Sequence, residues 1–417
     1  MKHQWIATAA RAAAIVGFVV AARRVTAQPP AIAGTWDATV VAGGVQVPFR
    51  MTIAGTGASV KGTFFNGDET MTSSAGSFQS GALSLEWDAL GTKLDATLKD
   101  GRLEGQYSRG TRGAPLAFSA QKFASVANAD AKVPSIAGLW IMNLPTKSSK
   151  GESAWQLIVR QSGPEVSAAI LRVDGDTGTL TGTYRDGTFV LGHFSGARPL
   201  RVEITPNADG TLAVVQNREA PIPAVRDDQA KAKGLPQPTD PTRFTSVKDP
   251  SEPLRWSFPD LTGKVVSNTD PQFRGKVVIV DIAGSWCPNC HDETPFLVEL
   301  YRRYHDRGLE IVALSFEEAA QLQNPTRLKA FIKHYGIPYT VLVPGEPKEA
   351  SDKLPQAVNL NSFPTTFFVG RDGRVRGAHA GFPGKASGKF HEEAKQEITH
   401  TVEQLLAERA QASTGGR

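Results

Sequence analysis

Two cysteines stand in the 417-residue chain, Cys287 and Cys290, separated by Pro288 and Asn289. This spacing lets two sulfurs approach across one turn of helix. The apolar run Val277-Val278-Ile279-Val280 that precedes the pair has the length of a buried strand. Pro288 suits the first position of a helix, where its missing N–H costs nothing. Strand, turn and helix together place Cys287 at a helix N-terminus, where unpaired backbone N–H groups and the positive dipole end favour thiolate over thiol. Cys287 is therefore the expected nucleophile and the more exposed thiol. Cys290, one turn further in, is the expected resolving thiol. With no other cysteine in the chain, the pair reads as chemistry rather than as a structural staple.

Other chemistries fit the same residues less well. Cys287-Pro288-Asn289-Cys290-His291 satisfies the short pattern for c-type haem attachment. All four methionines, however, lie at or before Met142, and a buried strand leads directly into the motif. A zinc site would need His291, Asp292 and Glu293 to bend around one ion beside only two thiolates. A thiol peroxidase of the peroxiredoxin type is the enzymatic alternative, but Ser285-Trp286-Cys287 does not reproduce the Thr or Ser that stands three positions before a peroxidatic cysteine. The reading calls for no cofactor and no metal. His291 is expected on a solvated helix face.

The elements around the pair are those of an α/β layer. A second apolar run, Glu310 to Leu314, follows the cysteine helix, which should reach about His305. A helix is predicted from about Pro325 to Tyr335, a strand over Tyr339–Val343, a hairpin around Asp372-Gly373 and a closing amphipathic helix over Phe390–Arg409. Strand–helix alternation of this kind implies parallel pairing.

Val280-Asp281-Ile282-Ala283-Gly284-Ser285-Trp286-Cys287-Pro288-Asn289-Cys290, with Phe363-Pro364-Thr365-Thr366-Phe367-Phe368 downstream, resembles the thioredoxin fold. It is similar in particular to the exported TlpA/ResA-like thiol-disulfide oxidoreductases, as are Glu293, Pro295 and the long spacer containing Pro355 to Leu360. The resemblance covers about residues 254–410. It implies that Pro364 is the cis-proline opposite the thiols and that Asp281 is the buried carboxyl that takes or relays the resolving cysteine's proton. A buried carboxyl beside thiols should have a raised pKa. Trp286, Phe363 and Thr365 are the expected substrate contacts, and Pro295 should kink the helix. The implied partners are protein thiols and disulfides, among them apocytochrome c or copper-chaperone thiols, and a membrane-bound electron donor. Pro-Asn between the cysteines departs from the family's usual dipeptides, which leaves reductant and oxidant both open.

The first 250 residues read differently. Ile32-Ala33-Gly34-Thr35-Trp36 returns as Ile136-Ala137-Gly138-Leu139-Trp140, 104 positions later (136 − 32). Val60–Phe64 resembles Leu180–Tyr184, Gly76–Phe78 resembles Gly192–Phe194, and Phe118–Lys122 resembles Phe244–Lys248, which suggests an internal duplication. Short alternating runs divided by Asn66-Gly67, Asp100-Gly101 and Asp186-Gly187 read as antiparallel strands joined by tight turns. The expected architecture is multidomain: two tandem antiparallel β-meander, barrel-like modules, 28–125 and 135–248, followed by an α/β thioredoxin fold over 254–410. Five prolines between Glu219 and Pro241 suggest a semi-rigid, exposed connection inside the second module, after which Phe244–Lys248 is expected to return and close that module. A Gly-x-Trp opening a first strand resembles the lipocalin and avidin-like barrels, so a ligand-binding protein with an accessory thioredoxin-like domain is the non-enzymatic alternative.

Residues 1–27 have a basic start, an apolar run from Ala12 to Ala22 and Val25-Thr26-Ala27 before Gln28, the layout of a secretory signal. The run is too short to span a bilayer, which takes about 20 apolar residues. The leader points to a periplasmic or otherwise extracytoplasmic protein. It also carries four of the 46 basic residues and none of the 41 acidic ones. The remaining body, 42 basic (46 − 4) against 41 acidic, lacks the basic footprint of a nucleic-acid binder.

Overall fold

Alternation of buried and exposed side chains builds the first sheet, as in Val45–Ala54, where Val45, Val47, Phe49, Met51 and Ile53 all point inward. The computed structural model describes residues 32–67, 69–110, 112–124 and 133–408, so the expected leader lies outside the described residues. Nine antiparallel strands run from Gly34–Ala42 to Leu116–Lys122, and the first of them pairs with the last. Asp100 and Asp186, each followed by glycine, take the left-handed backbone conformation that tight hairpins require.

A second sheet spans Gly138–Asn143 to Ile222–Arg226 and closes on itself. Ala154–Ser162 pairs with both Gly138–Asn143 and Glu165–Arg172, while Gly138–Asn143 pairs with Ile222–Arg226. The two sheets repeat one detail. Trp36 Nε1 donates to the Ile32 carbonyl at 3.0 Å, and Trp140 Nε1 donates to the Ile136 carbonyl at 2.9 Å. Lys122 lies over the Trp36 ring and Arg226 over the Trp140 ring. The counterpart of Phe118–Lys122 is therefore Ile222–Arg226, not Phe244–Lys248.

This corrects two expectations. The Pro-rich segment is not wholly an exposed connection, because Ile222–Arg226 is a barrel strand and Asp227–Ala232 a short helix. Ser246–Val247, expected to close the second module, instead pairs with Ala357–Val358 of the C-terminal region. The interiors of both sheets are filled by side chains, including Trp36, Phe64, Trp87 and Tyr107 in the first and Trp140, Phe189 and Leu191 in the second. Phe194 crosses from the second sheet into the first core, 4.7 Å from the Phe49 ring and 4.9 Å from Tyr107. The Asn66 amide clasps the Phe194 backbone on both its N–H and its carbonyl.

The C-terminal region has a five-stranded sheet in the order Thr340–Leu342, Leu309–Ser315, Val277–Ala283, Thr365–Val369, Val375–Ala380. The first three strands are parallel and the last two antiparallel. All seven residues of Val277–Ala283 are buried, as a central strand covered on both faces demands. Helices Pro288–Tyr304 and Lys389–Ala407 pack on the face carrying Val277 and Ile279; Leu254, Trp256 and Phe273 cover the face carrying Val278 and Val280. The helix runs on through Pro295 to Tyr304. The described residues, from Ile32 onward, form a single compact unit, and among them no helix is long and apolar enough to cross a membrane.

Candidate active site

The central strand ends at Ala283, and Gly284-Ser285-Trp286 turns the chain into the helix that begins at Pro288. Cys287 sits at the cap position with extended backbone angles, and its carbonyl accepts from the N–H groups of Cys290 and His291. A buried ion pair fixes this turn. Glu317, fully buried, accepts from the Ser285 N–H and hydroxyl at 2.7 Å each, and Arg327 binds Glu317 at 3.0 Å and the Ser285 hydroxyl at 2.9 Å. Trp286 is pinned by donation from Nε1 to the Phe316 carbonyl at 2.8 Å, with its ring 5.3 Å from Phe363.

Both thiols are free, and both are buried. The expectation that Cys287 would be exposed fails, because side chains and neighbouring loops cover it. Its thiol donates to the Phe363 carbonyl at 3.4 Å, and the Phe363–Pro364 bond is cis. Burial alone would raise the Cys287 pKa. Hydrogen bonding from the Cys290 thiol and N–H, together with the Arg198 charge, outweighs it and holds the group below the ordinary thiol value. Cys290 is pushed well above that value, first by burial and then by Cys287. The pair is thus split into an acidic first thiol and a reluctant second one.

Asp281 lies beneath them. Burial pushes its carboxyl up to about 7, and Glu293, which faces it, is raised well above the usual carboxylate range by burial and by the Asp281 charge. Glu293 also accepts from the Thr366 hydroxyl at 2.9 Å. A cavity of about 10 Å³ beside Asp281, bordered by Thr294, Ser315 and Tyr339, has room for about one water. Glu293 stood in the sequence as part of a family pattern; its pairing with Asp281 becomes visible only when strand and helix pack. Thr365 is fully buried and donates its hydroxyl to the Ser362 carbonyl at 2.8 Å, so it shapes the Pro364 loop from within.

His291 is not on a solvated face. It is buried, with Nε2 donating to the Ser285 carbonyl at 3.0 Å and Nδ1 accepting from the Tyr335 hydroxyl at 2.8 Å. Burial pushes its pKa down to about 4, so the ring stays neutral and ties the helix to the preceding turn.

Residues 222–392 match the Redoxin family model. Over 116 residues the chain is 31% identical to the thiol-disulfide oxidoreductase ResA of Bacillus thuringiensis (strain Al Hakam), covering 28% of this chain and 60% of that protein. Against ResA of Geobacillus thermodenitrificans the identity is 28% over 153 residues, 37% of this chain and 81% of the relative. A putative thiol:disulfide interchange protein DsbE from Chlorobium tepidum superposes with a TM-score of 0.29 at 24% identity, covering 36% of this chain and 98% of that one. The C-terminal region, residues 222–392, is thus similar to the Redoxin family. Within that class it is ResA-like, although the chain spans only about 60% of the length of the first of these relatives. The family match begins at Ile222, inside the last strand of the closed barrel, so family boundary and structural boundary do not coincide.

Proposed function

We propose that the chain is an exported thiol-disulfide oxidoreductase that exchanges disulfides with protein cysteines through Cys287 and Cys290. The observation that carries this reading is geometric: two free thiols, Cys287 at the start of a helix and Cys290 three residues on, with the first bonded to the carbonyl that precedes the cis Pro364. The Cys287 thiolate attacks one sulfur of a partner disulfide, forming a mixed disulfide and releasing the partner's other sulfur as thiolate. The Cys290 thiol then gives its proton to the Asp281–Glu293 pair, and its thiolate attacks the Cys287 sulfur. The partner leaves as a dithiol, and Cys287 and Cys290 end as a disulfide, two electrons having passed to the partner. The reverse sequence oxidises a partner dithiol. Asp281, with a pKa about 7, is poised to hold or release that proton near neutrality. Trp286, Phe363 and the Pro364 loop border the first thiol and are assigned to partner contact. A membrane-bound donor or acceptor would reset the pair.

The filled barrel interiors speak against the ligand-binding alternative. The two N-terminal sheets, with their matched Trp36 and Trp140 contacts, are read as duplicated modules. The test is trapping in the exporting host. Cys290→Ser should accumulate partner adducts through Cys287, while Cys287→Ser should accumulate few. Equal trapping by both, or none by either, refutes the assignment.

A further inference from the structure

The second barrel reaches the cysteine motif from outside the Redoxin-like region, close enough for the Asp174 and Arg198 charges to act on Cys287. Residues 173–178, which connect two strands of the second barrel, lie against Asn289, Gly381 and Phe382 beside the thiols. The Asp174 carbonyl accepts from Asn289 Nδ2, inside the cysteine motif, at 2.6 Å. Gly175 forms a parallel bridge with Phe382. A Cβ on Gly175 would come within 2.5 Å of the Phe382 carbonyl and 2.7 Å of Asn289 Nδ2, and its φ of +117° already excludes most side chains. On the other side, the chain at Val173 and Asp174 presses against Gly381, whose N–H bonds to the Pro364 carbonyl at 2.8 Å.

A second barrel loop reinforces the first. Lys150 Nζ donates to the Asn361 carbonyl, three residues before Pro364, at 2.6 Å, and pairs with the Asp174 carboxylate at 3.6 Å. Both loops are held by Glu152, which is buried and accepts from the Val173 N–H at 2.7 Å and from the Trp155 indole and Ser148 hydroxyl at 2.9 Å each. The Asp176 carboxylate bonds the Ser387 hydroxyl, and Arg160 reaches the Ala386 carbonyl. The barrel thus grips the cysteine motif, the loop before Pro364 and the turn after Phe382 together.

We propose that this strap, residues 173–178 with Lys150, is the specificity determinant of the site. It covers the backbone edge on which an extended partner segment would lie. A protein substrate must therefore displace it before its disulfide reaches Cys287, whereas small thiols and disulfides need only slight opening. The strap discriminates by requiring a partner whose own backbone replaces the contacts to Asn289 and Phe382. The proposal rests on the thiol-exchange reading above, but its test does not.

The experiment measures modification of Cys287 in the reduced full chain by iodoacetamide and by a maleimide bearing a polyethylene glycol chain. Gly175→Ala should push the strap off by the steric contact described. Lys150→Ala, at a position away from the barrel core, should loosen it by removing a charged hydrogen bond. In both variants the rate with the bulky reagent should rise about tenfold while that with iodoacetamide changes much less. Lys150→Ala keeps the test valid if Gly175→Ala does not fold. An unchanged ratio of the two rates, or an equal rise for both reagents, overturns the proposal. Alkylation requires no disulfide exchange, so failure of the trapping experiment would leave this outcome standing, and the converse holds too.

Discussion

Replacing Asp281 by Asn tests the proton role of the buried carboxyl through stability as well as through rate. The carboxyl rises from 3.8 to about 7 on folding, a shift of roughly three pH units, because burial penalises the ionised form. The folded state therefore binds the proton more tightly than the unfolded chain. Its contribution to stability is fully present below pH 3.8 and is lost as pH rises toward 7. At about 1.36 kcal/mol per unit, ionising Asp281 in the folded state costs about 4 kcal/mol at neutral pH. Asn cannot ionise, so Asp281→Asn should abolish that part of the pH dependence. Denaturant midpoints of the reduced proteins at several pH values between 4 and 8, with unchanged slopes, give the difference directly. The variant's stability relative to the parent should rise with pH by up to about 4 kcal/mol, while release of the mixed disulfide slows and Cys287 alkylation stays near normal. A stability difference that stays constant within about 0.5 kcal/mol across this range would refute the reasoning, as would unaltered release of the mixed disulfide.

Arg327→Met should leave Glu317 as a buried carboxylate without its cation and cost about 3 kcal/mol or more, read from the denaturant midpoint; a loss under about 1 kcal/mol would show the pair to be dispensable. Trypsin should cut first near the exposed Lys233, ahead of the stretch 235–240 that carries no regular element. The two fragments should nevertheless elute together in gel filtration, because Asp174–Asn289, Lys150–Asn361 and Asp176–Ser387 contacts cross the cut; separate elution would refute this interface.

What the sequence made legible was local. The strand, turn and helix around Cys287 needed only an apolar run, a proline and a dipole argument, whereas Pro364 rested on the family resemblance carried by Phe363-Pro364-Thr365-Thr366-Phe367-Phe368. The misassigned closing strand shows the opposite case. Phe244–Lys248 shares its end residues with Phe118–Lys122, whereas the true counterpart Ile222–Arg226 carries Pro223 and looks like a linker. A signal was available nonetheless. The offset of 104 between Trp36 and Trp140 (140 − 36) also carries Lys122 onto position 226, where Arg226 supplies the same cation over the same ring.

The errors at the site share a physical origin. His291 reads as a surface residue because its partners Phe331 and Tyr335 lie some forty positions away on another helix, and only packing brings them to 4.8 Å and 5.6 Å between rings. Cys287 reads as the more exposed thiol because a helix N-terminus usually is, and nothing in the motif announces that a barrel loop more than a hundred residues earlier will bond to its neighbour Asn289. Asn289 carries the connection. In the sequence it is one of two variable residues that tune a redox pair, yet in the structure its amide is buried and spent on the Asp174 carbonyl. A side chain so placed couples two properties. Any change at position 289 alters the thiolate's surroundings and also the hold of the barrel on the site, so redox poise and access to Cys287 should not vary independently in this chain.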